Sequence, residues 1–246
     1  MSVRFENVTF AYPGRPAVLD AFDLTVAPGE IVAIVGRSGA GKTTILKLVN
    51  RLLLPLGGTV FVDERATTGW DGIELRRQTG YVFQDVGLFP HMTVAENIGV
   101  VPRLEAWAAE RIHARAMELL QLLGLPPAEF AQRRPADLSG GQRQRVGLAR
   151  ALAVNPKVLL MDEPFGALDP VTRAEVRREF AKVQARFGTT VILVTHDMGE
   201  AFSLGHRVAV LDAGRMIACD TPAVVAGSRD ARIRAFLDSL PPVPST

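Results

Sequence analysis

Apolar positions along this chain keep two different rhythms, and the change between them predicts its architecture. Val3, Phe5, Val8 and Phe10 nearly alternate with polar residues. "FDLTV" (Phe22–Val26) and "TVFVD" (Thr59–Asp63) alternate cleanly, with Pro-Gly and Gly-Gly pairs as punctuation. A period of two buries one face of a strand and wets the other, so this opening stretch reads as β-rich. "IVAIV" (Ile31–Val35) is instead apolar throughout, as a central strand covered on both faces must be. It runs into a glycine-rich loop and a helix expected over Lys42–Leu54. "VLLMD" (Val158–Asp162) and "TVILVTH" (Thr190–His196) repeat the pattern, each followed by helical sequence. That alternation predicts an α/β fold with a parallel sheet flanked by helices.

From about Asp85 to Pro156 the rhythm changes again. No stretch reads as a strand, and "EAWAAERIHARAMELLQLLG" spaces Trp107, Ile112, Met117, Leu120 and Leu123 as on one helix face. Trp107 and Met117 could be ligand contacts; the periodicity favours a core face. "RVAVLDAGRMIACD" reads as a hairpin turning at Asp212–Gly214. The expected organisation is one domain over residues 1–240, with a core of 1–84 and 157–240. A helical subdomain, 85–156, is inserted between them, and 241–246 is a frayed tail.

Composition narrows the picture only slightly. The 246 residues suffice for a real core, and 48% apolar with 22% charged residues is ordinary for a globular protein. No apolar run approaches the roughly 20 residues of a membrane span. "MSVRFENVTF" lacks the charged-then-apolar pattern of a secretory leader. One cysteine, Cys219, excludes an internal disulfide and fits a reducing compartment. A net charge of +2 argues against a nucleic-acid partner. Arg133, Arg134, Arg143, Arg145 and Arg150 form a local basic excess. It reads as a solvated face with some ion pairs, or else as a region beside a membrane-protein partner.

The chemistry is carried by short motifs at strand ends. "GRSGAGKT" (Gly36–Thr43: Gly36, Arg37, Ser38, Gly39, Ala40, Gly41, Lys42, Thr43) follows a strand and opens a helix, the context of a phosphate-binding loop. Backbone N–H groups from Ser38 to Thr43 would wrap a β-phosphate at the positive end of the helix. Lys42 would reach the β- and γ-phosphates, the Thr43 hydroxyl would bind Mg²⁺, and Thr44 would touch the α-phosphate. Such a loop needs a carboxylate at the end of a neighbouring strand, and "VLLMDEP" supplies Asp162 with Glu163 directly after it. These are either surface acids at a strand end, or a metal ligand (Asp162) beside a general base for water (Glu163). His196 leaves "TVILVTHD" in the same way and could hydrogen-bond the γ-phosphate. "LSGGQ" (Leu138–Gln142) places Ser139 as a helix N-cap before Gly140 and Gly141, a second anion-compatible turn.

Taken in this order, "GRSGAGKT", "LSGGQ", "VLLMDEP", "GALDP" and "THD" resemble the ATPase subunit of an ABC transporter, over essentially the whole chain. The resemblance implies a P-loop NTPase (RecA-like) core with an antiparallel β-subdomain and an inserted α-helical subdomain, and ATP and Mg²⁺ as cofactors. By the same resemblance Tyr12, otherwise a core aromatic, stacks on adenine. Gln84 lies near Mg²⁺ and the attacking water, and Asp169 sits in a loop crossing to a partner. Two copies would pack head to tail, so that Ser139, Gly140, Gly141 and Gln142 of one cover the nucleotide of the other.

The kind of ABC protein is narrowed by what the sequence lacks: a fused membrane domain, a second cassette, and long heptad coils. "NRLLLP", "ELRRQTGYVFQDVGLFPHMTVAENI", "VPRLEAW" and "DEPFGALDPVTR" are similar to importers of quaternary-amine osmoprotectants such as glycine betaine, choline, carnitine or proline betaine. That implies a peripheral subunit on the cytoplasmic face of the inner (plasma) membrane. Its partners would be a second copy, a membrane permease and, indirectly, an extracytoplasmic substrate-binding protein. Three other readings stay open: an importer of another polar solute such as an amino acid or polyamine, a soluble non-transport assembly factor, and a scaffold that barely hydrolyses ATP. Intact Asp162, Glu163 and His196 argue against the scaffold.

Overall fold

The strands expected from unbroken apolar runs are buried along almost their whole length in the computed structural model, which describes residues 1–237. The expected frayed tail at 241–246 lies outside the described residues. Along the chain, β1 (Val3–Ala11), β2 (Ala17–Val26), β3 (Ile31–Gly36), α1 (Lys42–Val49), β4 (Gly57–Val62), β5 (Arg65–Ala66) and α2 (Gly72–Gln78) come first. There follow β6 (Thr79–Val82), α3 (Val94–Ile98), α4 (Val100–Leu104), α5 (Ala109–Leu122), α6 (Pro127–Phe130), α7 (Gly140–Leu152), β7 (Val158–Asp162) and α8 (Pro170–Phe187). The last stretch holds β8 (Thr190–Thr195), α9 (Met198–Leu204), β9 (Arg207–Asp212), β10 (Arg215–Asp220), α10 (Pro222–Ala226) and α11 (Ala231–Leu237). Two compact units divide these elements, residues 1–75 with those from 190 onward, and residues 76–189.

In the first unit, β3 runs parallel to β8 on one side and to β9 on the other, and β10 closes the hairpin on β9. Every residue of β3 and β8 is buried, which is why neither strand alternates. The hairpin turns at Ala213 and Gly214, both with positive φ, as expected from the sequence. A separate antiparallel sheet has the order β2-β1-β4-β5. In β1 the imperfect alternation has a physical cause. Asn7 has φ 48° and the register with β2 shifts between Phe5 and Val8, a bulge that turns Val3, Phe5, Val8 and Phe10 all inward.

The helix expected over Lys42–Leu54 is shorter, ending at Val49. Arg51 takes φ 56°, and the N–H groups of Leu52 and Leu53 both return to the Lys47 carbonyl, closing the helix end. Pro55 also disfavours helix at Leu54. Leu52 and Leu54 are consequently exposed.

In the second unit β6 pairs parallel with β7, and α7 packs against α3, α5, α8 and β6. No strand lies between 85 and 156, as the sequence predicts. The face read as core on α5 is rotated, however: the buried residues are Arg115, Ala116, Leu119 and Leu120, with Leu123 just beyond. Trp107 precedes the helix and stacks under the Arg111 guanidinium, 3.5 Å from its ring centroid. Arg115 reads as a surface residue but is buried, donating to the Leu152 and Ala153 carbonyls at the end of α7 (3.0 and 3.1 Å). A guanidinium there satisfies carbonyls that the helix cannot satisfy itself.

Asn97 is fully buried and holds the segment before its own helix. Its Oδ1 accepts from Phe89 N at 2.8 Å, and its Nδ2 donates to the carbonyls of Phe89, Met92 and Thr93 at 3.0–3.3 Å. Thr93 and Glu96 add a capping box to the same turn. Asn97→Ala is expected to cost about 2–4 kcal/mol, because several buried backbone groups lose their partner together. Asn97→Asp is expected to cost at least as much at neutral pH, since a carboxylate would face three carbonyl oxygens. Urea denaturation of the three proteins checks both; an Asn97→Ala loss below about 0.5 kcal/mol contradicts the staple role.

Candidate functional site

The glycine-rich loop is built by the sheet beneath it. β3 delivers Gly36 beside Leu211 of β9, so closely that a side chain at Gly36 would overlap the Leu211 carbonyl. Gly39 lies at φ 80° with nothing within 4 Å of where a side chain would sit, so this part of the loop faces open space. Gly41, at φ 104°, N-caps α1 without any side-chain cap and is pinned against Val18 and Leu19. Lys42 is buried, and its Nζ donates to the Gly36 and Arg37 carbonyls at 2.8 and 3.0 Å. The ammonium is thereby held over the loop rather than swung into solvent.

Other expected residues of the first unit collect around this loop. Tyr12 is half-buried rather than a core aromatic, and its hydroxyl lies 3.4 Å from Thr44 Oγ1 on α1. Phe10 supports it edge-on, with ring centroids 5.0 Å apart. Thr195 pairs with Val35, so the exposed His196 leaves β8 at the edge where Gly36 leaves β3.

The second unit carries the remaining expected residues. Asp162 ends β7 half-buried, and Glu163 follows at φ 46° directly before Pro164. A left-handed backbone at a non-glycine residue costs about 1–3 kcal/mol and turns the Glu163 side chain off the line of the strand. Tyr81 on β6 donates from its hydroxyl to Asp162 Oδ2 at 3.4 Å. Burial, then the Asp162 charge and this hydrogen bond, push the Tyr81 phenol well above the ordinary tyrosine range. Gln84 is exposed just past β6. Ser139 caps α7 by accepting from Gln142 N (3.2 Å), and the Gln142 side chain accepts from Ser139 N (2.9 Å). Ser139 and Gln142 thus close a capping box, with Gly140 exposed and Gly141 buried between them. Asp169 caps α8, accepting from the N–H groups of Val171 and Thr172, both at 3.1 Å.

The far end of α7 grips the segment that follows Gln84. Arg150 donates to the Val86 and Gly87 carbonyls at 2.5 and 2.8 Å, and Gly147 leaves room for Val86 to lie directly on the helix. Beside this contact is a cavity of about 290 Å³ lined by Arg76, Arg77, Tyr81, Phe83, Phe89 and Arg150, among others. Phe83 and Phe89 are 48% and 41% exposed. Tyr81, Asn97 and Arg150 were not singled out as partners from the sequence, because each acts on a residue or backbone group that no local pattern marks.

The Tyr81–Asp162 pair makes a direct prediction. The phenolate absorbance of the native protein, followed through the ordinary phenol range near about pH 10, is expected to match that of Tyr81→Phe. The chain holds two tyrosines, so a signal that falls by half in the variant would show Tyr81 titrating normally and overturn the assignment.

Comparison with known proteins agrees with this geometry. Residues 19–166 match the model of the family described as ABC transporter. The chain is 46% identical over 220 residues to the glycine betaine/carnitine/choline transport ATP-binding protein OpuCA of Bacillus subtilis, covering 89% of this chain and 58% of that protein. It is 50% identical over 230 residues to the sulfate/thiosulfate import ATP-binding protein CysA of Xanthomonas campestris, covering 92% of this chain and 65% of that one. The chain therefore spans less than two thirds of the length of either relative. Among solved structures, the dimeric post-hydrolysis state of the ATP-binding cassette MJ0796 bound to ADP and Pi superposes with a TM-score of 0.79 at 36% identity, over 89% of this chain and 98% of that one. The fold is that of the P-loop ATP-binding cassettes, and a loop held this way over β3, matched in sequence on both sides, makes the chain a member of the ABC transporter family.

Proposed function

We propose that this chain is the ATP-hydrolysing subunit of an importer, and that its solute is a quaternary-amine osmoprotectant. The observation that carries the first part is the cradle at Gly36–Thr43: an uncapped helix start, a glycine facing open space, and a buried ammonium over the loop. A polyphosphate satisfies all three. The likeness to a cassette solved with ADP and Pi supports the same ligand.

Mg²⁺ fits the donors on offer. Thr43, Asp162 and Gln84 would offer a hydroxyl, a carboxylate and an amide oxygen, and among the described residues no group of three His, Cys, Asp or Glu side chains could form a cage. A hard cation that keeps waters and shares phosphate oxygens suits such a sparse set. Bound there, it would supply charge neutralisation on the phosphates. The chain's own residues do the rest. Lys42 neutralises the phosphate charge and Glu163 accepts the proton of the attacking water. His196 and Gln84 orient the γ-phosphate and that water, while Tyr81 fixes the Asp162 carboxylate. Two copies complete each other's sites, with Ser139–Gln142 of one over the nucleotide of the other; the dimeric state of the solved relative supports this. Exposed Phe83, Phe89 and Arg76, with half-buried Arg77 and Arg150, give the 290 Å³ cavity an apolar surface with a basic rim. A short cytoplasmic helix of a membrane permease would seat there, which places the subunit peripherally on the cytoplasmic face.

The solute is supported by the likeness to OpuCA, whose name gives glycine betaine, carnitine and choline. The higher identity to a sulfate/thiosulfate protein favours a second reading, import of another polar solute, because none of the residues above would touch the cargo.

Glu163→Gln is expected to keep ATP binding and lower hydrolysis by at least about a hundredfold, because the amide is isosteric but not basic. Lys42→Ala is expected to weaken ATP binding by about tenfold or more. Near wild-type turnover in Glu163→Gln would remove it as the base. For the solute, cells carrying the intact transporter or its Glu163→Gln form are given labelled glycine betaine, choline, carnitine, sulfate and methionine. At least one quaternary amine is expected to enter only with the intact enzyme. Uptake of sulfate or methionine alone would transfer the assignment to the second reading.

A further inference from the structure

We infer that Gly141 is a glycine because Thr172 of α8 fills the space its side chain would need. On this inference, Thr172 is a positioning residue that holds the first turn of α7 against the first turn of α8. The inference rests on the proposed composite ATP site. It differs from the expectation that both glycines of "LSGGQ" serve only to let a phosphate approach.

The two glycines have different surroundings. A methyl placed on exposed Gly140 would meet only Leu168 Cδ2, at an ordinary 3.9 Å. A methyl placed on buried Gly141 would overlap Thr172 Cγ2 and lie 3.7 Å from its Cβ. Thr172 is not free to step aside. Its N–H donates to Asp169 Oδ1 at 3.1 Å. Hydrogen bonds from Thr172, its side chain first and then its backbone, hold the Asp169 carboxyl below the usual carboxylate range. Rotating χ1 to withdraw the methyl would carry the hydroxyl off Asp169, and a β-branched side chain in a helix has few other rotamers to adopt.

Both turns are also braced in the same manner. Ser139 caps α7 while Arg143 donates to the Leu138 carbonyl at 3.0 Å. Asp169 caps α8 while Arg173 donates to the Leu168 carbonyl at 2.9 Å. Each start is stiff by itself, and Gly141–Thr172 is where one meets the other. The signature turn and the Asp169 loop are therefore offered to a second copy as one body. The Thr172 methyl sets how much room is left at Gly141, while the Arg145–Glu175 ion pair also ties α7 to α8.

The test is a rescue. Wild type, Gly141→Ala, Thr172→Ser and the double variant are compared by ATP hydrolysis and by ATP-driven dimerisation in sedimentation, below the melting temperature of each. Gly141→Ala is expected to lose activity by at least about tenfold through overpacking, and to lose dimerisation with it. Thr172→Ser keeps the hydroxyl on Asp169, removes only the methyl, and is expected to stay within about threefold of wild type. The double variant is expected to regain at least about threefold over Gly141→Ala in both readouts, since the new methyl takes the vacated space and only the overlap with Thr172 is relieved. Thr172→Ser should do nothing for Gly140→Ala. A Gly141→Ala protein as active as wild type overturns the inference, and so does a double variant as impaired as Gly141→Ala. If Gly141→Ala does not fold, the double variant decides by folding and hydrolysing ATP or not. Wild type that neither dimerises with ATP nor hydrolyses it would defeat the composite site itself, a separate failure.

Discussion

A helix start leaves backbone N–H groups that must find acceptors, and the three motif helices of this protein meet that requirement in different ways. α7 meets it with the Ser139–Gln142 box and α8 with the Asp169 carboxylate. α1 begins on Gly41, which has no side chain with which to cap anything. The acceptor at α1 has to come from elsewhere, and an anion suits it best because the helix dipole points its positive end there. Much of the first unit serves that one deficiency. β8 and β9 clamp β3 on both sides, Leu211 fixes Gly36, and Val18 and Leu19 fix Gly41. The result is a rigid hollow whose occupant is a matter of charge and size.

The fold was legible wherever one physical cause acted alone. β3, β7 and β8 are strings of apolar residues because they are covered on both faces, and their short length and β-branched content fit a buried strand better than a helix. Legibility failed where two causes competed. The apolar pattern carries the first helix to Leu54, yet Arg51 in the left-handed region stops it at Val49. Around α5 the aromatic and aliphatic spacing pointed to Trp107, which precedes the helix and stacks on Arg111, while the buried face includes Arg115, whose guanidinium satisfies carbonyls at the end of α7.

The candidate site divides along the same line. Its motif residues were legible because phosphate chemistry demands fixed residue types at fixed spacing, from Gly36 to Thr43 and from Asp162 to Glu163. The residues that hold those motifs in place were not. Tyr81 stands 81 positions from Asp162, and Thr172 lies on a different helix from Gly141. Tyrosine and threonine are common enough that neither identity carries a signal. Only the folded chain brings them to the groups they constrain.

A consequence concerns what the chain can encode at all. Around the phosphate loop, Lys42 holds the Gly36 and Arg37 carbonyls and Tyr12 lies against Thr44. On the proposed reading, close similarity to proteins named for such different solutes is expected, since a phosphate cradle is indifferent to cargo. The segment around Gln84, where Phe83, Phe89 and Arg150 line a cavity and Asn97 stiffens the approach, is the surface that the proposed reading gives to a partner. If that reading holds, a change of partner would be written there first, while the cradle at Gly36–Thr43 stayed as it is.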